Sequence, residues 1–310
     1  RRSAMGIASR TGPVAVEVDG SAEGLRVIDY ACQMAQNAGA DLLLVRPYST
    51  RAATMPLYEP GDAKAQAEAE LRDAVARVRR QVGFSVTVGT ALREGSRLHV
   101  LPQAARLARL LVVGRRRARG PHRLVAAQAD LVLASRCACP VVVVPGGWKP
   151  STADRTVYVG VDGTALSAEA AEHAFREASD RGGHLVVVHA DTAPVRKLDR
   201  AGQEVWASNA ELSVSETLAG FAERFPEVRV TRLVTGGPVI EALVRSSQHA
   251  GLLVLGAHAG LLPRDPVTRR ALAAAASPVA VVKHYLTEAE RRAERRLERR
   301  GGSDVAVPTY

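Results

Sequence analysis

Two aspartates with glycine neighbours are the residues of this sequence best suited to hold a ligand. Asp19 and Asp162 each follow a short apolar run and precede a glycine, and Gly114 and Gly256 each end a second apolar run. In an open parallel sheet, ligands bind beyond the carboxyl ends of the strands, where the strand order reverses. The pattern therefore predicts one ligand site between Asp19 and Gly114 and another between Asp162 and Gly256. The alternative is that each aspartate caps the helix that follows it.

These residues recur because the chain is a tandem duplication. Val14–Asp19 and Val157–Asp162 open the two copies, and the offset between copies is 143 residues at the aspartates (162 − 19) and 142 at the glycines (256 − 114). An offset this constant indicates a repeated structural unit. A length of 310 residues fits two domains. We expect them at residues 13–146 and 155–284, with a linker rich in proline and glycine at 146–151.

Short apolar runs alternate with amphipathic segments in both copies. Apolar runs with many β-branched residues predict strands buried on both faces, and strands that alternate with helices indicate a parallel sheet covered on both sides. The predicted strands are 14–18, 42–45, 85–89, 110–113, 141–144, 157–161, 185–189, 228–233, 252–255 and 279–282. The predicted helices are 21–38, 62–82, 99–107, 124–135, 165–180, 200–224, 239–248 and 267–276. We therefore predict an α/β protein with two tandem, doubly wound, parallel five-stranded sheets.

The net charge of +10 is concentrated in one segment. Between Gly95 and Ala129 there is no acidic residue, and the arginines there are Arg97, Arg106, Arg109, Arg115, Arg116, Arg117, Arg119 and Arg123. A patch of this sign attracts phosphates or acidic surfaces. Aromatic residues are only 4% of the chain, so the stacking platforms of single-strand binders are not expected. We expect a solvated or partner-facing patch, and docking on RNA, the ribosome or an acidic protein is the alternative.

No residues form a catalytic or metal site by their spacing. Cys137 and Cys139 are close together, but without a second cysteine pair or a histidine at ligand spacing we expect both to be buried apolar residues before Pro140. The eight histidines lack zinc-binding spacing, and we place His189 and His258 nearest to the ligand sites. We expect no metal, no catalytic residue, a reducing cytoplasmic environment and no membrane span.

The end of the chain is a segment of a different kind. Thr287–Glu290 has the pattern of a capping box, and residues 287–300 are predicted to form a charged helix that ends before Gly301. Its apolar stripe is too narrow for a core. We interpret it as a solvated helix with internal ion pairs, or as a docking helix for a partner or a second copy. Residues 301–310 are expected to be disordered.

Three blocks occur in the same order in both copies. They are Val16–Ser21, Leu110–Gly114 and Cys139–Val144 in the first copy, and Val159–Thr164, Leu252–Gly256 and Ser277–Val282 in the second. On these blocks the chain resembles the universal stress protein family, over nearly all of both copies. The resemblance implies an adenine nucleotide alpha hydrolase-like fold. It also implies nucleotide contacts at Val18, Asp19, Val45, Gly114, Val161, Asp162, Val188 and Gly256.

Both copies depart from the phosphate loop of the ATP-binding members, which reads Gly, two residues, Gly, nine residues, Gly, then Ser or Thr. Its glycines let backbone N–H groups approach the phosphates. The residues at the last three of these positions are Arg117, Ala127 and Gln128 in the first copy and Ala259, Arg269 and Arg270 in the second. From the first glycine to the proline of the third block there are 26 residues in the first copy (140 − 114) but 22 in the second (278 − 256). We therefore predict that the second site is closed.

Arginines surround the lost glycine of the first copy. Arg115, Arg116 and Arg117 either bind phosphate through paired hydrogen bonds or fill the phosphate position and exclude the ligand. A bulky side chain where backbone must approach favours exclusion. The resemblance implies a non-enzymatic stress-response regulator that binds a protein partner or a second copy of itself and needs no cofactor. The alternatives are an ATP-binding or phosphate-sensing regulator that uses the first copy, and the basic adaptor described above.

Overall fold

The computed structural model describes residues 12–49, 60–116, 120, 122–150, 155–162, 165–191, 199–258 and 265–284. Strands and helices alternate through both halves. The elements of the first half are β1 (Val14–Glu17), α1 (Ala22–Asn37), β2 (Leu42–Tyr48), α2 (Pro60–Val82), β3 (Val88–Glu94), α3 (Arg97–Ala104), β4 (Leu110–Gly114), α4 (His122–Arg136) and β5 (Val141–Val144). Those of the second half are β6 (Thr156–Val161), α5 (Ala165–Asp180), β7 (His184–Asp191), α6 (Arg200–Leu218), α7 (Phe221–Arg224), β8 (Arg229–Gly236), α8 (Val239–Ser246), β9 (Leu252–His258), α9 (Pro266–Ala274) and β10 (Val279–His284).

The ten strands form one sheet in the order β3-β2-β1-β4-β5-β10-β9-β6-β7-β8. Within each half the five strands are parallel, which confirms the predicted doubly wound α/β fold. The two halves join edge to edge because β5 pairs with β10 in antiparallel fashion, with Val142 opposite Ala280. Both strands are apolar, and their pairing leaves neither of them as an exposed sheet edge.

Successive side chains of each strand enter opposite cores. Val14 and Val16 lie in the core covered by α1, α2, α5 and α6, whereas Ala15 lies in the core covered by α3, α4, α8 and α9. Because both faces of the sheet are covered, the strands read as continuous apolar runs without polar alternation. Each core contains residues of both halves, so the halves share their hydrophobic layers.

We call the contact of β5, α1, α4 and Pro145–Trp148 with β10, α5 and α9 the seam. Nη2 of Arg115 donates to the carbonyl oxygen of Ala275 at 2.7 Å, just after α9 ends. Nζ of Lys283 donates to the carbonyl oxygen of Ser135 at 2.9 Å, in the last turn of α4. Carbonyl groups at the end of a helix lack intrahelical donors and carry partial negative charge, so a cation stabilises them. Each half therefore supplies a cation to a helix of the other.

Part of the predicted linker is buried in the seam. Trp148 is 6% exposed and packs edge-on against Tyr30 of α1, with the ring centroids 5.0 Å apart. Nearby, Nη2 of Arg109 lies 2.7 Å from Oδ2 of Asp180 across the same junction. Within the described part of this segment Trp148 is therefore packed, whereas Gly147, Lys149 and Pro150 are exposed.

Most predicted elements differ from the structure by a few residues at their ends, and two differences have a clear physical reason. The third strand begins at Val88 because Ser85 is part of a turn, in which its N–H donates to Val82 at 3.2 Å. As an edge strand, β3 is partly exposed and carries no apolar run to reveal it. The predicted helix at 200–224 is two helices, since Gly220 has a φ of 79°, in the left-handed region that glycine adopts readily.

The predicted C-terminal helix at 287–300 and the tail at 301–310 lie outside the described residues. Within the described part of the chain, no helix combines the length and the apolar character required to cross a membrane. The second half ends, as far as it is described, with β10 beside the first half.

Candidate functional site

The residues predicted to contact a ligand lie at the carboxyl edge of the sheet. In the first half Val45 of β2 is opposite Glu17 of β1, and in the second half Val188 of β7 is opposite Gly160 of β6. The strand order reverses beside β1 and β6, as expected for a ligand site in this architecture. The two halves therefore share a backbone arrangement and differ in the side chains that fill it.

The second half has a cavity at this edge with a volume of about 330 Å³. The predicted contact residues Val161, Asp162, Val188 and Gly256 all line it. The other lining residues are Gly160, Ser167, Ala190, Val239, Leu243, Leu255, Asp265, Pro266, Val267 and Thr268. The expectation of a closed second site stays a prediction, although these described residues line a cavity. It rested on the loop, of which residues 259–264 lie outside them.

Two carboxylates provide the charged groups among the described residues of this cavity. The N–H of Asp162 donates to Oγ of Ser167 at 2.8 Å, and the Ser167 hydroxyl donates back to Oδ1 of Asp162. Asp265 caps α9, where its Oδ1 accepts the N–H of Thr268 at 2.9 Å and its Oδ2 accepts the Thr268 hydroxyl at 2.6 Å. Carboxylate oxygens accept hydrogen bonds from hydroxyl and amino groups. The cavity thus combines apolar walls with carboxylate acceptors.

The first half has charged side chains in the corresponding space. Nε of Arg97 lies 2.8 Å from both carboxylate oxygens of Glu17, and its Nη1 lies 2.9 Å from Oδ1 of Asp130. We call these residues the charged triad. The exposed fraction of the side chain is 18% for Arg97, 10% for Glu17 and 0% for Asp130. The charged triad therefore occupies this space of the first half with the protein's own side chains.

Burial and attraction act against each other in the charged triad. Burial raises the pKa of Glu17 and Asp130, and the positive charge of Arg97 limits that rise. Burial would also lower the pKa of Arg97, but the attraction of Glu17 and Asp130 outweighs it and the pKa is raised. One cation holds two carboxylates, so each member depends on the others to remain buried.

Each member of the charged triad has an uncharged counterpart in the second half. The pairs are Glu17 and Gly160, Arg97 and Val239, and Asp130 and Thr268. The first pair shares a strand register, the second pair begins α3 and α8, and the third pair lies equally far from the ends of α4 and α9. At Gly160 an added Cβ would lie 3.0 Å from Leu255 and 3.1 Å from Leu243. The cavity wall at Gly160 therefore leaves little room for a side chain.

The triad and its counterparts were not singled out from the sequence as site residues. The signal available was the difference between copies. A glutamate ends β1 where glycine stands in β6, and an arginine begins α3 where valine begins α8. Comparison of the two copies position by position would have found both differences. It would not have revealed that Asp130 meets them.

Asp19 supports the start of a helix. Its Oδ1 accepts the N–H of Ser21 at 2.9 Å and the Ser21 hydroxyl at 2.8 Å, and Oγ of Ser21 in turn caps α1 by accepting the N–H of Gly24. Asp19 and Val18 line an open groove of about 450 Å³ between α1 and α2. The geometry is that of the capping alternative, with Ser21 as the cap itself. A nucleotide contact by Asp19 stays a prediction.

Arg115 and Arg116 of the predicted phosphate cluster follow β4 directly, and phosphate binding by this cluster stays a prediction. Arg115 is directed into the seam towards Ala275, and burial lowers its pKa to about 10. Arg116 is exposed, and Arg117 lies outside the described residues. Gly114, which ends β4, lies close to α1, since an added Cβ would be 3.2 Å from Val27.

The eight arginines between Gly95 and Ala129 do not form one continuous exposed patch, which corrects the sequence-based interpretation. Arg97 is bound in the charged triad, Arg109 pairs with Asp180, and Arg115 is bound in the seam. The pairing carboxylates come from outside the segment, which is why the segment looked unbalanced. The exposed arginines described there are Arg106, Arg116 and Arg123, while Arg117 and Arg119 lie outside the described residues.

The cysteines are buried, as predicted. Burial raises the pKa of Cys137 to about 12 and raises that of Cys139 as well, so neither carries a reactive thiolate.

Nδ1 of His189 lies 3.1 Å from the carbonyl oxygen of Val161, and the side chain of His258 lies outside the described part. In the ranges that the structure describes, no group of three or more His, Cys, Asp or Glu residues could hold a metal ion.

A doubly wound sheet duplicated in tandem, with a strand-end cavity in one copy, defines a class of nucleotide-binding-like α/β proteins. The model of the universal stress protein family matches residues 11–145 and 155–283. The chain belongs to the universal stress protein family.

Relatives of the same family cover most of the chain. A universal stress protein of Mycolicibacterium smegmatis is 29% identical over 286 residues, which is 87% of this chain and 96% of the relative. A universal stress protein of Mycobacterium tuberculosis is 30% identical over 291 residues, covering 88% and 97%. A universal stress protein structure from Archaeoglobus fulgidus has the same fold, with a TM-score of 0.62 at 13% identity, over 87% of this chain and 98% of that one.

Proposed function

We propose that this protein is a non-enzymatic regulator of the stress response whose second half binds a small molecule and whose first half does not. The observation that carries the proposal is the contrast between the halves. A cavity of about 330 Å³ lies in the second, and the charged triad fills the equivalent space in the first. The proposal therefore places the ligand in the second half, and not in the first half, where ATP binding was the alternative.

The shape and chemistry of the cavity favour a nucleoside-type ligand. Its volume lies at the lower end of the range for small-molecule sites, about 300–1,000 Å³. Apolar side chains such as Val188, Val239 and Leu255 suit a flat aromatic base, and the carboxylates of Asp162 and Asp265 suit hydroxyl or amino donors. Two carboxylates also disfavour a phosphate beside them. We therefore expect adenosine to bind at least as tightly as ATP.

The ligand is proposed to alter contacts with a protein partner or with a second copy of the chain, in the cytoplasm. A role as a basic adaptor has less support, because Arg97, Arg109 and Arg115 are used inside the protein. A non-enzymatic role predicts that ATP incubated with the protein is recovered unchanged. The non-enzymatic role would be contradicted if ADP were released at a rate proportional to protein concentration and if independent preparations gave the same rate.

Isothermal titration with adenosine, AMP and ATP tests the assignment to the second half. Val239→Trp is designed to fill the cavity with one change at the first position of α8, where the side chain is partly exposed. We expect it to abolish binding. A matched control in the first half is Leu98→Trp, next to Arg97 in α3. This control is expected to bind like the unmodified protein.

A second experiment exchanges the two sites. Replacing Glu17, Arg97 and Asp130 by their counterparts glycine, valine and threonine opens the first half, and should add a second binding event. Circular dichroism checks that each variant is folded. Binding that survives Val239→Trp in a folded protein, or disappears in the Leu98→Trp control, would overturn the proposal.

A further inference from the structure

Helix α6 of the second half exposes apolar side chains, whereas its counterpart α2 in the first half does not. Val205 is 61% exposed and Leu212 is 58% exposed. They are seven residues apart, so they lie on one side of the helix. Among the described side chains of α2, no large apolar one is exposed. We call Val205 and Leu212 the outer stripe of α6.

The outer stripe faces away from the core. The buried residues of α6 are Ala210, Val214 and Leu218, all in its second half. The period of the helix turns Leu212 by about 160° away from Val214. No residue of α6 before Ala210 is buried, whereas α2 buries Ala63 in its first turns. The amino-terminal half of α6 is thus free for a contact on its outer side.

Acidic side chains flank the outer stripe. The exposed carboxylates of α6 are Glu204, Glu211 and Glu216. The basic residue of this helix is Arg200, whose Nε lies 3.3 Å from Oε1 of Glu204. Three glutamates and one arginine leave the helix negatively charged, so a basic segment with an apolar side complements it. A second α6 would bring like charges together, which disfavours pairing with the same helix of another copy.

The sequence that follows β10 has this complementary pattern. Its apolar residues recur every three or four positions, at Leu286, Ala289, Ala293 and Leu297. Residues 287–300 contain six arginines and four glutamates, a net charge of +2. Arg292, Arg296 and Arg300 are one helical turn apart, so in a helix they form a row beside the apolar residues.

The place where β10 ends allows this segment to reach α6 in the same chain. Because β10, β9, β6 and β7 are parallel, His284 lies at the same edge of the sheet as Asp191, the last residue of β7. The chain continues from β7 to α6 at that edge. Strands β10 and β7 are three positions apart in the sheet, a distance of about 14 Å. A helix over residues 287–300 would span about 21 Å.

We propose that residues 287–300 dock as a helix along the outer stripe of α6 in the same chain. The apolar residues of the segment would bury Val205 and Leu212, and its arginines would pair with Glu204 and Glu211. A segment docked there would compete with any outside partner for this surface. The proposal does not depend on the ligand of the strand-end cavity.

Amide hydrogen exchange of the intact chain, followed by mass spectrometry, tests the docking. Val205→Asp and Leu212→Asp each place a charge in the outer stripe, and because both positions are exposed the fold itself is expected to remain. Each variant is expected to speed exchange in residues 287–300 by about tenfold. Val125→Asp is the matched control, since it makes the same change at a position of α4 that is 69% exposed. It should leave exchange in residues 287–300 unchanged.

Two further comparisons separate the chain's own segment from other occupants. A chain that ends at His284 should exchange faster in residues 200–212 than the intact chain. Protection of this helix that does not depend on protein concentration supports docking within one chain. Protection that rises with concentration assigns the contact to a second copy and overturns the proposal. It is also overturned if residues 287–300 exchange without protection in the unmodified protein, or if Val125→Asp releases them as Val205→Asp does.

Discussion

The guanidinium group of Arg97 lies 2.9 Å from the carboxylate of Asp130, a side chain with no exposed surface. The same guanidinium contacts Glu17, which ends the first strand. In the second half the counterparts of Arg97 and Asp130 are Val239 and Thr268, and both line an open cavity. One ionic contact therefore distinguishes two halves that have the same fold.

Removal of Arg97 alone should destabilise the protein strongly. Arg97→Met leaves Glu17 and Asp130 buried without a cation, and breaking a buried ion pair from one side costs about 3–5 kcal/mol. Urea unfolding followed by circular dichroism measures the loss. Val239→Met, at the equivalent position of the second half, is the control and should change stability by less than about 1.5 kcal/mol. An Arg97→Met protein as stable as this control would contradict the prediction.

Replacing the whole charged triad should be milder than removing Arg97. The triple variant Glu17→Gly, Arg97→Val, Asp130→Thr removes both carboxylates together with the cation, so no buried charge is left unpaired. We expect it to be more stable than Arg97→Met, although it has three changes. The two proteins are compared in the same urea titration. If the losses simply add, and the triple variant is the less stable one, the triad is not an interdependent unit.

The buried histidine of α5 should make the protein sensitive to acid. Burial first, then the charges of Arg176, Arg109 and Arg181, lowers the pKa of His173 to about 3. The unfolded chain binds a proton at this residue near pH 6.5 and the folded protein does not, so the free energy of unfolding falls as pH decreases from 6.5 towards 3. The slope contributed by this one residue approaches about 1.4 kcal/mol per pH unit.

Comparison with His173→Gln isolates this contribution, because other titrating groups are common to both proteins. The free energy of unfolding is measured in urea between pH 4.5 and 7.5. The difference between the two proteins should shrink or reverse as the pH falls, since glutamine binds no proton. Parallel pH profiles would contradict the assignment of the acid sensitivity to this residue.

The cysteines should not react with thiol reagents in the folded protein. Burial raises the pKa of Cys32 and Cys137 to about 12 and also raises that of Cys139, so the thiolate population is small and enclosed. A colorimetric disulfide reagent at pH 8 should titrate no thiol within minutes in buffer and three thiols in guanidinium chloride. A fast-reacting thiol in buffer would indicate that one of these positions is open to solvent.

Trp148 should contribute substantially to the stability of the seam. Trp148→Ala removes the buried indole that packs on Tyr30, and such truncations cost about 3–5 kcal/mol. Thermal unfolding by circular dichroism measures the effect. Trp206→Ala, at a partly exposed position of α6, is the control and should have a smaller effect. Equal shifts in melting temperature would contradict the contribution of Trp148 to the seam.

The fold follows largely from local sequence patterns. Runs such as Leu110–Val113 are apolar on both faces, and this predicts parallel strands between helices without knowledge of their neighbours. The repeat gave the topology of the second half from that of the first. The edge strand β3 was misplaced by three residues at its start, because a strand with little burial carries little apolar signal. The break at Gly220 in the helix predicted at 200–224 was missed, because a glycine in the sequence does not by itself indicate a left-handed backbone conformation.

What the sequence by itself determined is the duplicated sheet, the order of its elements and the strand ends where a ligand is predicted to bind. The tertiary structure alone decided which of the two strand-end positions has a cavity among the described residues. Glu17 and Arg97 are 80 residues apart in the chain, and Arg97 and Asp130 are 33 residues apart. Local patterns report which side of an element is buried, whereas the filling of a site depends on charged side chains from distant segments that meet only when the chain has folded.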